Sequence, residues 1–139
     1  MLFYVAVLDE ANYGTLSPAR ATELCATAFS AQNLDVERMG EVSVALVPLL
    51  TIHKLNLKYR DIDSPTDVLS FGMDGPYGEM VGEIVVCPEY VASEEAKVEE
   101  LVVHGALHLA GMDHGEDFAG SEMAVVQEAV LRRAGVRSG

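Results

Sequence analysis

His104-Gly105-Ala106-Leu107-His108-Leu109-Ala110-Gly111-Met112-Asp113-His114 gathers three of the chain's four histidines into eleven residues. His104 and His108 are four apart, so on a helix their imidazoles rise from one face about 6 Å apart along the axis and can close on a single ion. Gly111 tolerates positive φ, which ends the helix and lets the chain bring His114 back toward the same point. Three ligands leave a fourth position free. Neutral imidazole suits zinc, and an open three-ligand set is the catalytic pattern, whereas structural zinc normally recruits cysteine. The expectation is one Zn2+ ion on His104, His108 and His114. The alternatives are chance clustering on an amphipathic helix and a closed structural site completed by a distant side chain.

The spacing H-x3-H-x5-H, with glycine three residues after the second histidine, matches the metzincin peptidase pattern in all but one residue. Such a peptidase carries glutamate directly after the first histidine, as the base that activates the metal-bound water. Here that position is Gly105. Glycine within a helix costs roughly 1 kcal/mol against alanine and accepts no proton, so the metal geometry survives and the peptide-cleaving catalyst does not.

Two further segments stand out: Leu55-Asn56-Leu57-Lys58-Tyr59-Arg60-Asp61-Ile62-Asp63-Ser64-Pro65-Thr66-Asp67-Val68-Leu69-Ser70-Phe71 and Val81-Gly82-Glu83-Ile84-Val85-Val86-Cys87. With His-Gly-x-Leu-His-Leu-x-Gly-x-Asp-His, they resemble the recurring segments of the YbeY-type endoribonucleases, zinc proteins linked to ribosomal RNA maturation. The resemblance covers residues 55 to 114, and both flanks have compatible length and pattern. It implies a single-strand-specific, metal-dependent endoribonuclease acting in ribosomal RNA processing, including the small-subunit 3′ end, and in ribosome quality control. The partners it implies are single-stranded RNA, ribosomal RNA and the ribosome or its proteins. Two rival readings are a zinc metallopeptidase-like hydrolase and a non-catalytic ribosome assembly factor stabilised by zinc.

A chain of 139 residues is the size of one domain and buries about two-thirds of its unfolded surface without disulfides. Cys25 and Cys87 lie far apart, outside any C-x-x-C pair, and read as buried free thiols of a reducing compartment. No apolar run reaches membrane-spanning length, and the amino terminus lacks the basic start and cleavage site of a signal peptide. A cytoplasmic protein without a membrane partner is expected. The formal net charge of −13 opposes broad RNA binding, because phosphate contacts want a basic surface. A local cationic site of the metal, Arg60 and Lys58 remains available, with a partner such as the ribosome supplying RNA affinity. No pattern in the chain fixes an oligomeric state.

In chain order, Leu2 to Leu8 reads as a strand, and Ser17-Pro18 caps a helix running through Gln32 with Ala21, Leu24, Cys25, Ala28 and Phe29 on its inner face. Val42, Val44 and Leu46 alternate in a second strand that ends before Pro48, so strand, helix and strand suggest a parallel crossover. A helix over Leu49 to Tyr59 follows, with Leu49, Ile52, Leu55 and Tyr59 inward and Lys54 and Lys58 outward. After Ser64-Pro65, Asp67 to Phe71 and Val81 to Cys87 form an antiparallel hairpin, its second strand central. Pro88 is expected to open one long helix into the metal face; relatives usually divide this region with an extra loop, which the short link between Cys87 and His104 lacks. Met123, Val126 and Val130 mark a last helix closing near Arg132 and Arg133. The fold class is α+β: residues 1–139 as a single domain, a mixed four-stranded sheet with four to five helices, one of them a zincin-like metal helix.

Four residues complete the candidate site. Arg60 reads either as a surface arginine paired with Asp61 or Asp63 or, as the resemblance implies, as a residue facing the zinc cleft, where its permanently charged fork holds a scissile phosphate. Asp113 is either a turn residue that orients a ligand imidazole or the base for the metal-bound water. Ser70 and Phe71 read as an ordinary strand residue and a core aromatic, or as a hydroxyl and a stacking surface along the cleft. The remaining histidine, His53, reads as an ordinary helix residue.

Overall fold

Alternation in Val42, Val44 and Leu46 puts three side chains on one side of a strand, and all three are buried. The computed structural model describes residues 3–136. In it this strand is β2 (Met39–Leu46), one of four with β1 (Val5–Leu8), β3 (Val68–Asp74) and β4 (Met80–Val86). The helices are α1 (Pro18–Ala31), α2 (Leu49–Arg60), α3 (Pro88–Ser93), α4 (Val98–Leu109) and α5 (Glu122–Arg133). The sheet order is β1-β2-β4-β3, parallel from β1 through β4, with β3 antiparallel to β4 at the edge. This is the α+β domain with a mixed four-stranded sheet that the pattern predicts, and β4 is interior.

Period-two alternation splits the sheet into two cores. Val5, Val42, Val44, Leu46, Ile84 and Val86 join α1, α4 and α5 in the larger one, while Ala45, Leu69, Val85 and Cys87 meet Ile52 of α2 on the other side. Ser17 caps α1 by accepting from the Arg20 amide at 3.1 Å, and Pro18 follows at the first helical position. Both cysteines are free and buried, and burial pushes the Cys25 thiol up to about 12, which makes it inert.

Three expectations need correction. The first strand begins at Val5; Leu2 lies outside the described residues. The stripe on α2 is narrower than its apolar letters suggest: Leu49 and Tyr59 are 40% and 57% exposed, whereas Ile52 and Asn56 are buried. Asn56 belongs inside because its Nδ2 donates to Ser64 O at 2.9 Å and pins the turn behind Arg60.

The single long helix after Pro88 is in fact two. α3 ends in a Schellman turn, with Glu95 N–H donating to Ala92 O and Ala96 N–H to Val91 O, both at 3.1 Å, around a left-handed Glu95 (φ 59°). A continuous helix would also set Glu95 against Glu99 at i,i+4, which is repulsive. The break re-aims the chain so that α4 lies across the sheet with its histidines outward.

Candidate metal centre

Gly105 fixes how close α4 comes to the sheet. A Cβ there would stand 2.6 Å from Ile84 Cγ2 and 2.9 Å from Ser70 Oγ, inside van der Waals contact. Ser70 Oγ uses the approach, donating to Gly105 O at 3.1 Å. The residue that lacks a base is therefore the one that seats α4 on β3 and β4.

At the far end of α4, Gly111 takes φ 96° as expected. Its N–H donates to His108 O, and Met112 N–H to Leu107 O, both at 3.0 Å, a second Schellman turn that sends the chain back. The return brings His114 to the helical pair: ring centroids are 4.7 Å apart for His104–His108, 5.3 Å for His104–His114 and 5.4 Å for His108–His114. One ligand nitrogen from each lies within 4.8 Å of the others, and no cysteine or carboxylate among the described residues joins the group.

Each imidazole is anchored through Nδ1 to an oxygen. His104 Nδ1–H donates to Gln127 Oε1 at 2.8 Å, His108 Nδ1–H to Met112 O at 2.9 Å, and His114 Nδ1–H to Gly115 O at 2.7 Å. Carbonyl oxygens only accept, so these bonds assign the protons to Nδ1 and leave Nε2 as a lone pair on each ring. Nε2 of His104 and of His108 then face one another at 3.1 Å with nothing to share. A cation satisfies that arrangement, and tetrahedral zinc with bonds of about 2.0–2.1 Å needs ligand nitrogens roughly 3.3 Å apart. Burial holds His104 and His108 below the ordinary histidine value, more than their hydrogen bonds raise them, which keeps both neutral and able to ligate. The residues present fit the ion.

The cluster opens into a cleft of about 1110 Å3 that also takes in Arg60, Ser70 and Asp113. Arg60 ends α2 and lies near enough to disfavour charge on His108. Asp63 does not pair with it but with His53, at 2.7 Å. Asp113 Oδ1 accepts from the His114 N–H at 2.8 Å, so this side chain braces the segment carrying the third imidazole.

Phe71 and Lys58 are not in the cleft. β3 alternation turns Ser70 toward α4 and Phe71 to the opposite side of the sheet, where its ring meets Tyr59 edge-on at 5.1 Å. Lys58 Nζ stands 5.1 Å from the same Tyr59 ring. The local cationic site thus loses Lys58, and Arg60 is the cleft's arginine.

The structure adds groups that spacing did not reveal. Phe118 rests edge-on against His104 and His114 at 4.9 and 5.0 Å. Asp67 and Glu94 both line the cleft wall, and burial first, then the neighbouring Asp67 carboxyl, raises Glu94 to about 7. Gln127 carried a signal: it falls between Met123 and Val130 on the inner stripe of α5, a polar residue where the pattern wants an apolar one.

Fold and centre together define a class: a small α+β domain in which one helix and the return after it aim three imidazoles at a single point in an open cleft. Residues 9–135 match the family model described as Endoribonuclease YbeY. A protein of that description from Rubrobacter xylanophilus is 64% identical over 132 residues, 94% of this chain and 96% of the relative. One from Mycolicibacterium paratuberculosis is 30% identical over 143 residues, 89% and 81% of the two chains. A solution structure from Thermotoga maritima superimposes with a TM-score of 0.51 at 28% identity, covering 94% of this chain and 88% of that one. The chain belongs to the YbeY endoribonuclease family.

Proposed function

We propose that this chain is a zinc-dependent endoribonuclease that cuts single-stranded RNA in ribosomal RNA maturation, the small-subunit 3′ end included, and in ribosome quality control. The observation that carries the metal chemistry is the convergence of three Nε2 lone pairs at the head of a cleft, each ring held by an oxygen on its Nδ1. Family membership supports RNA as the polymer: the relatives are described as endoribonucleases. A bound ion would supply Lewis acidity at a phosphoryl oxygen and an acidified water.

The chain's own groups divide the remaining work. Arg60, planar and permanently charged at the cleft, is suited to hold the scissile phosphate in a two-pronged grip and to meet charge developing on it. Asp113 orients the third ligand through the His114 amide. Ser70 is committed to Gly105 O and acts as support. Asp67, Glu94 and Glu100 make the wall acidic, so the isolated chain holds RNA weakly and the ribosome or its proteins, in the cytoplasm, supply affinity. A peptidase-like reading gains nothing: a glutamate at position 105 has no space.

The test is incubation of the metal-loaded chain with a defined single-stranded RNA and, separately, with an unstructured peptide. RNA shortens with the wild type and not with His108→Ala, and the peptide stays intact. Uncut RNA with metal bound, or a shortened peptide, overturns the reading.

A further inference from the structure

Of the three oxygens that hold the imidazoles, two are backbone carbonyls of the return segment and one is a side chain. Met112 O and Gly115 O follow the ligands they hold within four residues. Gln127 Oε1 reaches His104 from 23 residues away, across the interface between α4 and α5. Backbone carbonyls come with any sequence; this acceptor exists only because residue 127 is a glutamine.

His104 is the ligand for which an outside anchor matters most. It lies in the body of α4, where its own backbone groups are consumed by the helix and offer nothing to Nδ1. Without an acceptor, a neutral imidazole in water prefers its proton on Nε2, the atom that must be bare to ligate. The neighbouring Phe118 ring constrains the plane of His104 but cannot choose between its nitrogens. Gln127 is half-buried and lies between the buried Met123 and Val130, on the inner face of α5.

We infer that Gln127 is a positioning residue: by accepting the Nδ1 proton of His104 it selects the tautomer that presents Nε2 to the ion, and so sets metal affinity from a helix that supplies no ligand. The inference rests on His104, His108 and His114 being the metal ligands. A partner of this kind is worth 10–100-fold in affinity where it has been removed from metal sites.

Two substitutions separate the acceptor from the bulk of the side chain. Gln127→Met keeps length and flexibility and removes the oxygen; Gln127→Glu keeps the oxygen. Nitrogen-15 NMR of the metal-free chain reads which ring nitrogen of His104 carries the proton, and competition with a chromophoric chelator reads the zinc dissociation constant. Wild type and Gln127→Glu should hold the proton on Nδ1, with Gln127→Glu binding zinc at least as tightly as wild type. Gln127→Met should show mixed tautomers and bind zinc 10–100-fold more weakly, with the melting temperature of the metal-free chain unchanged.

Tautomer and affinity unchanged in Gln127→Met overturn the inference, as does a Gln127→Glu chain that weakens as much as Gln127→Met. Should Gln127→Met not fold, a wild-type metal-free chain with the His104 proton mainly on Nε2 still sinks it. Neither readout uses RNA. Failure to cut RNA with these results intact would overturn the proposed activity and leave the role of Gln127 standing.

Discussion

A hydrogen atom at position 105 stands where every other residue puts a carbon, and the helix of the metal centre uses that vacancy to lie on the sheet. Gly105→Ala forces Cβ against Ile84 and Ser70, since the nearest atoms would be 2.6 and 2.9 Å away. Overpacking of this kind costs about 1–3 kcal/mol, more than the alanine's helix propensity returns. A lower urea midpoint with an unchanged slope is the expected outcome; a more stable variant would mean that α4 rises freely. Arg60→Lys tests a different thing, because lysine keeps the charge and loses the fork. Cleavage of single-stranded RNA should fall by about 10²-fold or more with metal content unaltered. An unchanged rate would take Arg60 out of the chemistry.

At the scale of elements, two turns of the same kind were unequally visible. Both α3 and α4 end in Schellman motifs with a left-handed residue, but in one that residue is Gly111 and in the other Glu95. Glycine announces such a turn and glutamate conceals it, which is why the spacing of the histidines and their return was legible while the break before α4 was not. Holding Glu95 left-handed costs about 1–2 kcal/mol. Glu95→Gly should recover part of this, a net gain of about 0.5–1 kcal/mol after the added freedom of the unfolded glycine, measured as a raised urea midpoint. Strand alternation was legible in the same way: Val42, Val44 and Leu46 declare their side by pattern. What alternation could not give was which side of β3 meets the cleft. That depends on where a later helix packs, and so Phe71 fell on the wrong side of the sheet and Gln127, from the last helix, went unseen.

For the whole molecule, stability, acidity and metal are linked. His104 and His108 are held below the ordinary histidine value of about 6.5. The unfolded chain therefore binds more protons than the folded one as pH falls through that range, and these two rings make the folded state less stable on the acid side. Glu94, raised to about 7, works oppositely: the folded state binds its extra proton between about 4.5 and 7, a contribution lost as pH rises. In the metal-free chain the two trends oppose one another. Zinc bound at the proposed site would add a third dependence, since protons compete with an ion for Nε2. Zinc at 100 times its dissociation constant should stabilise the chain by about 2.7 kcal/mol near pH 7.5. At the same zinc concentration, the gain in melting temperature should shrink as pH falls below the ordinary histidine range. A gain that is independent of pH would place the ion on groups other than these imidazoles.

The division of the three imidazoles between a helix and the irregular return after it has a kinetic corollary. His104 and His108 are fixed by α4, whereas His114 sits beyond Gly111 on a segment braced by the Asp113 side chain and by Gly115 O. Dissociation of an ion bound there would then proceed through one swinging arm, which would set the ion's lifetime while the helical pair kept a ready-made two-point seat. Stopped-flow transfer to a chelator measures this lifetime. It should shorten in Asp113→Ala, which frees the arm and leaves the seat untouched.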